Sequence, residues 1–254
     1  MSAPLALQTI GLTKKYETLT ALDGLDIELP YGTIYALLGP NGAGKTTAVK
    51  VMAGILKPTA GSVIVNEFAV QAHPMEAKRC VGYISDQPFV YEYLSGWEFM
   101  RFIGDIYRVA AAEQRKRIPE LLELFELARW SDELIGSYSH GMKQKLVIAS
   151  ALLHDPDVLI LDEPLVGLDP KSARLVKDIF VELARRKKSI FMCTHVLEIA
   201  ERLAHTVGIL HHGKLIAAGS VPELKQQCSS QNTLEEVFLE VTGGSHYSTL
   251  LQYL

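Results

Sequence analysis

Gly39-Pro40-Asn41-Gly42-Ala43-Gly44-Lys45-Thr46 satisfies the pattern GxxxxGK[ST]. In that spacing the glycines let backbone N–H groups curl around phosphate oxygens, the lysine reaches the β and γ phosphates, and the hydroxyl residue ligates Mg2+. At average composition the pattern arises by accident in roughly one chain in a hundred of this size. Its flanks reduce that further. Before it, Thr33 to Leu38 is an apolar run, and after it Ala48, Val49, Met52, Ala53 and Leu56 recur with helical period, so strand, glycine loop and helix follow one another. Gly39, Asn41, Gly42, Gly44, Lys45, Thr46 and Thr47 are the candidate nucleotide contacts of this loop, and Thr46 is a candidate metal ligand.

Working outward, Val158-Leu159-Ile160-Leu161-Asp162-Glu163 is four apolar residues followed by two acids. That places carboxylates at the carboxyl end of a buried parallel strand, where ligands bind in open α/β sheets. Asp162 is the candidate Mg2+ residue and Glu163 the candidate that orients and polarises an attacking water. Strand alternation is expected to point the two side chains differently. Ser139-His140-Gly141-Met142 precedes an apolar-periodic segment, Leu146 to Leu153, and reads as a serine-capped helix start. Ser139 and Gly141 there form a second anion-receiving end.

The rest of the chain supports an α/β frame. Strands are expected at Val158–Leu161 and Ser189–Cys193 with a helix from Lys171 to Lys188 between them, and strand, helix, strand implies parallel pairing. Leu5–Ile10 and Leu25–Leu29 suggest an antiparallel edge region. Further short strands are read at Ser62–Val65 and Val81–Ser85, and Leu94–Leu127 turns helical in pattern. Thr206–Leu210 and Lys214–Ala218 flank His211-His212-Gly213 as a hairpin whose histidines read as solvated. Thr233-x-x-Glu236 opens a last short helix. Neither a repeat nor a long linker interrupts the chain.

Composition narrows the function. Of 254 residues, 48% are hydrophobic, 21% charged and 8% aromatic, which describes an ordinary folding chain and excludes fibrous and disordered classes. The formal charge is −4 and the pI near 6.1, so nucleic acid is not an expected partner. Cys80, Cys193 and Cys228 are widely spaced, as reduced thiols of a cytosolic chain would be, with Cys193 a core residue and Cys228 a surface thiol. The N-terminus does not read as a secretory signal, and no run of eighteen apolar residues occurs, so any membrane association is expected through a partner.

With the loop, the acidic strand and the capped helix in place, the sequence resembles the ATP-binding subunit of an ABC transporter over about Leu5 to Thr242. Tyr138-Ser139-His140-Gly141-Met142-Lys143-Gln144 is similar to the family signature in its exporter form, with His140 where a glycine is usual and Met142 where a glutamine is usual. The resemblance implies an α/β fold with a P-loop NTPase core, mainly parallel sheet, an N-terminal antiparallel β region and an inserted α-helical subdomain. It implies a single domain over 1–254, with core at about 1–87 and 155–225, helical part at about 88–154 and a C-terminal helix and tail at about 230–254. It further implies that Tyr16 stacks on adenine and that Gln87 senses Mg2+ and the attacking water while relaying to a membrane partner. Asp169 would form an inter-subunit loop, and His195 would contact the γ phosphate. Outside the resemblance, Gln87 reads as a turn residue before Pro88 and His195 as a strand-end histidine. The implied function is ATP hydrolysis with ATP and Mg2+ as cofactors, in a homodimer or heterodimer that drives export by a separate transmembrane permease from the cytoplasmic face. A soluble ABC-type ATPase and an importer engine are the alternatives; the ending Thr233–Gly243 resembles exporter cassettes.

From Tyr83 to Tyr107 the chain carries eight of its twenty aromatic residues. Phe99 and Phe102, three residues apart on a helical face, are expected in the core. Phe89, Tyr91 and Tyr93 fall in a loop-like stretch after Pro88 and are expected to receive a partner's helix next to Gln87.

Overall fold

The computed structural model describes residues 4–227 and 233–243. Its central sheet has the order β10-β9-β3-β8-β7-β6. These strands are Lys214–Gly219 (β10), Thr206–His211 (β9), Ile34–Leu38 (β3), Ser189–Cys193 (β8), Val158–Asp162 (β7) and Val81–Ile84 (β6). All pairings are parallel except β10 with β9, the expected hairpin. β3, β7 and β8 are buried at every residue, which is why their sequences are continuous apolar runs: both faces are covered. Alternation still sorts the side chains. Leu159, Leu161, Ile190 and Met192 join one core, while Val158, Ile160, Phe191 and Cys193 join the other.

The second core lies under a separate antiparallel sheet of order β2-β1-β4-β5, formed by Leu19–Pro30 (β2), Leu5–Tyr16 (β1), Ala60–Val65 (β4) and Phe68–Ala69 (β5). The N-terminal region is therefore a sheet of its own, not an edge of the parallel one. Its first two strands run past the expected ends at Ile10 and Leu25, β1 onward to Tyr16 and β2 back to Leu19. Gly11 has φ 53° at a register shift between Thr9 and Leu12, and its N–H donates to Asp26 Oδ1 at 2.5 Å; glycine here marks a bulge, which bends a strand without ending it. The helix after the glycine loop, α1 (Lys45–Met52), buries Ala48, Val49, Val51 and Met52 between the two sheets.

The other face of the parallel sheet carries the remaining long helices, after the short α2 (Pro74–Arg79). The expected run from Leu94 to Leu127 is two helices, α3 (Gly96–Ile106) and α4 (Ala111–Leu124), parted where Arg108 takes φ 57°. A capping box starts α3: Ser95 Oγ accepts from the Glu98 N–H and Glu98 Oε2 accepts from the Ser95 N–H. α5 (His140–Leu152) is buried from Leu146 to Leu152 and packs on β6. α6 (Pro170–Arg185) presents Val176, Phe180 and Ala184 to the core, and α7 (Leu197–Leu203) and α8 (Val221–Gln227) follow. The last helix, α9 (Leu234–Thr242), begins with the expected Thr233–Glu236 capping box and inserts Leu234 and Val237. Among the described residues no helix is long and apolar enough to cross a membrane. Cys193 is buried, whereas Cys228 lies outside the described residues.

Candidate functional site

The glycine loop leaves the carboxyl end of β3 and enters α1, as sheet and helix polarity require for an anion site. Gly44 caps α1 with φ 109°, and a Cβ there would come within 2.3 Å of the Ala21 carbonyl oxygen, so only glycine fits. Lys45 is 8% exposed. Its Nζ donates to Gly39 O at 2.6 Å and Pro40 O at 3.1 Å, which holds the ammonium inside the loop. The loop borders a cavity of about 510 Å3 shared by Tyr16, Asn41, Gly42, Gly44, Lys45, Thr46, Thr47, Asp162, Glu163 and His195. Residues from four separate stretches of sequence thus converge as expected. Gly39 borders an adjoining cavity of about 270 Å3 with Asn41, His195 and Phe238.

Asp162 ends β7 and is 2% exposed. Burial pushes its carboxyl above the usual range; a hydrogen bond from Thr46 works against that, while the charges of Asp86 and Glu163 add to it. Its Oδ2 is buried with no hydrogen-bond partner. A desolvated carboxylate oxygen beside a threonine hydroxyl suits a hard, oxygen-seeking cation, so the residues fit Mg2+. Among the described residues no three His, Cys, Asp or Glu side chains converge as a ready-made metal site. A cation here would rely on Asp162, Thr46 and the phosphates themselves.

Glu163 does not follow the strand alternation expected of it. It takes φ 49° just past β7, with its N–H bonded to Cys193 O at 3.0 Å, and so both carboxylates face one cavity. Its Oε1 lies 2.7 Å from His195 Nδ1, and its Oε2 accepts from Thr194 Oγ1 at 3.2 Å. Two partners from the end of β8 thereby fix the Glu163 carboxylate at the rim.

The remaining candidates stand elsewhere. Gln87 is exposed and does not border the cavity; Asp86, one residue earlier, does. Ser85 Oγ donates to Gln87 O at 2.5 Å, which turns the chain so that Asp86 is the inward acid. Ser139 caps α5, its Oγ accepting from the Met142 N–H at 3.3 Å, and neither it nor Gly141 borders the Lys45 cavity. Asp169 caps α6: its carboxylate accepts from Lys171 N, Ser172 N and Ser172 Oγ. The Ser172 bonds above all hold it below the usual carboxylate range. The Ser139 end and the Asp169 segment meet through His140, since a Cβ on Gly167 would come within 2.4 Å of its ring. Gln144 Nε2 donates to Pro164 O at 3.2 Å, tying α5 to the segment after Glu163.

Sequence reasoning missed Asp86, the β2 residues Leu19, Thr20 and Ala21, and the turn residues His212 and Gly213, all on the cavity wall. Asp86 had a signal, an acid at a strand's carboxyl end. His212, read as a solvated hairpin residue, had none, because only the folded chain brings that turn to the loop. Tyr16 does line the cavity, 41% exposed, with Lys14 Nζ 5.1 Å from its ring centre. Phe89, Tyr91 and Tyr93 are 78%, 58% and 93% exposed. Phe99 is buried as expected, but Phe102 is 39% exposed because it sits at the rim, where Tyr91 packs edge-on at 5.3 Å.

Comparison with known proteins agrees with this geometry. The profile of the ABC transporter family matches residues 22–166. The daunorubicin/doxorubicin resistance ATP-binding protein DrrA of Streptomyces peucetius is 37% identical over 225 residues, 89% of this chain and 68% of that protein. The Nod factor export ATP-binding protein I of Burkholderia thailandensis is 38% identical over 218 residues, 86% of this chain and 71% of that protein. A solved ATP-binding subunit of an ABC transporter superposes with a TM-score of 0.89 at 32% identity, over 93% of this chain and 99% of its own. The chain belongs to the ABC transporter family, among its ATP-binding ATPase chains.

Proposed function

We propose that this chain powers export by a separate membrane-spanning permease, two cassettes closing head to tail around MgATP, with a second copy or a homologue as the other half. The observation that carries the reading is a division of labour. Lys45, Asp162, Glu163 and His195 share one cavity, while Ser139 and Gly141, the second anion-receiving end, are outside it. Bringing a partner's Ser139 end to the open side of the cavity would supply the missing donors, and ATP would hold the halves together until hydrolysis removes the charge.

Within the cavity, the loop N–H groups and Lys45 bind the phosphates, and Asp162 and Thr46 would hold Mg2+, which supplies charge neutralisation at the phosphates. Glu163, kept in place by Thr194 and His195, orients the attacking water and takes up its proton. His195 is in reach of both Glu163 and the phosphate end. Tyr16 offers its exposed ring to adenine. Gln87, one residue past the cavity-lining Asp86, and the exposed Phe89, Tyr91 and Tyr93 beyond it would receive the permease and hold the chain at the cytoplasmic face of a membrane. Export, rather than import, follows the drug-resistance and Nod factor export relatives.

Glu163→Gln tests the reading. Turnover is expected to fall by about 10²–10⁴-fold, the usual contribution of a positioned base, while gel filtration with MgATP shows dimers. Wild-type turnover together with a monomer in MgATP would remove both the role of Glu163 and the closed dimer.

A further inference from the structure

β9 and β10 are joined by a two-residue turn, His212-Gly213, between the paired residues His211 and Lys214. Both turn residues have positive φ, 47° and 76°, as such turns between twisted strands require. Gly213 is dictated by space, because a Cβ there would come within 2.9 Å of the Ala21 carbonyl oxygen. His212 is dictated by nothing in the turn. Histidine takes a positive φ more readily than most residues, as asparagine and aspartate do, so the turn accepts His212 without requiring it, and what singles the residue out is its place on the cavity wall.

His212 lines the Lys45 cavity, and the turn is fixed there. Gly213 N donates to Ala43 O in the phosphate loop at 2.9 Å, and Gly213 O accepts from Asp23 N at 2.9 Å. Lys214 Nζ pairs with Asp23 at 3.2 Å, and the His211 ring lies against that of His212 with centres 4.1 Å apart. The level at which His212 meets the cavity follows from its neighbours. Tyr16 pairs with Leu19 at the outer end of the β1–β2 ladder, and Ala21, two residues along, abuts both Gly44 of the loop and Gly213 of the turn. The turn therefore stands between the aromatic end of the cavity and its phosphate end.

We propose that His212 is a nucleotide-binding residue at the level of the sugar, one ring nitrogen hydrogen-bonding the ribose of the bound nucleoside triphosphate. This rests on the nucleotide reading of the cavity and adds to it a source of selectivity. The loop and Lys45 recognise any polyphosphate, whereas a hydrogen bond from the turn recognises what the phosphates are attached to.

The test is calorimetric titration of the whole chain, in Mg2+, with ATP and separately with inorganic tripolyphosphate. His212→Asn keeps a residue suited to the turn but shortens its reach; His212→Ala removes the hydrogen bond outright. Both are expected to weaken ATP by about 3–10-fold, the worth of one neutral hydrogen bond, and to leave tripolyphosphate unchanged. The melting temperature of the ligand-free His212→Asn chain should match or exceed that of the wild type, which separates lost contact from lost fold. Unchanged ATP affinity in His212→Asn, with wild-type chain binding ATP and Lys45→Ala failing to, would overturn the proposal and leave the nucleotide reading standing. Equal weakening of ATP and tripolyphosphate would also overturn it, by moving His212 to the phosphates. A wild-type chain that binds neither probe would instead overturn the nucleotide reading itself.

Discussion

Lys45 at the start of α1 and Ser139 at the start of α5 both stand at helix N-termini, yet Lys45 is 8% exposed within a walled cavity whereas Ser139 is exposed and does not border that cavity. The difference comes from where each helix sits. α1 lies between two sheets, so β2, β7, β8 and the β9–β10 turn all reach its first turn and complete a site within one chain. α5 is continuously buried only toward its far end, from Leu146 to Leu152, with Gln144 the one buried residue before that, and Ser139 and His140 at its start are exposed. A binding end that is finished internally should be robust in the isolated chain, and one that looks outward should depend on a second body.

His154, just past α5, ties the end of α3 to β6, and this joint gives the largest expected effect on folding stability. The His154 ring stacks on Tyr107 at the end of α3, ring centres 3.7 Å apart, and its Nε2 lies 3.0 Å from the carbonyl oxygen of Val81 in β6. Burial drives its pKa down to about 4 from 6.5, and the bond to Val81 only partly opposes this. The unfolded chain therefore takes up the proton first. The stabilisation is complete above pH 6.5 and is lost as the pH falls toward 4, amounting to about 3 kcal/mol over that window. Urea unfolding at pH 7.5 and pH 4.5 should show a loss in the wild type that His154→Gln reduces by about that amount. Equal losses in the two chains would mean that the joint does not titrate.

The outward region is probed by Tyr91 and Tyr93. Replacing both with alanine should leave melting and basal ATPase of the isolated chain close to wild type, since Tyr93 is 93% exposed and Tyr91 gives up chiefly its edge contact with Phe102. Binding to the proposed permease should weaken by about 30-fold, the loss of roughly 2 kcal/mol expected from an aromatic anchor. Undiminished co-purification with the permease would assign these rings to the fold of α3 instead of to a partner.

How much could be read from the sequence divides along the same line. The strand–loop–helix around Lys45 and the acidic end of β7 were legible because local spacing carries the chemistry: each needs only its own few residues in order. The orientation of Glu163 was not, since its φ of 49° breaks the alternation a strand would impose. The N-terminal sheet was half legible, its strands visible but cut short at glycines that proved to be bulges. His212 and Asp86 were hidden for a different reason. Their place on the cavity wall depends on contacts between segments far apart in sequence, such as Gly213 N to Ala43 O, and no local pattern encodes those. The outward face at Ser139 was legible as a capped helix, and its exposure is a property of packing that the cap does not encode.

The smallest expected effect concerns the inward region and asks whether it is built for stability or for a ligand. Asp162 is buried, its Oδ2 has no partner, and burial raises its carboxyl above the unfolded value of 3.8. The folded chain thus holds that proton more tightly than the unfolded chain does, and the fold bears the full penalty of the ionised group at neutral pH. Asp162→Asn removes the charge with almost no change of shape. The ligand-free variant should melt higher at pH 7, and the gain should vanish below about pH 3.8, where the wild-type carboxyl is itself neutral. The same substitution should abolish Mg2+-dependent turnover, because an amide is a poor ligand for that cation. More stability with less activity would identify the Asp162 charge as one the fold tolerates for its cation. A variant that melts lower than the wild type at pH 7 would show instead that the carboxylate is satisfied by the protein alone, and the inward region would then be complete without its metal.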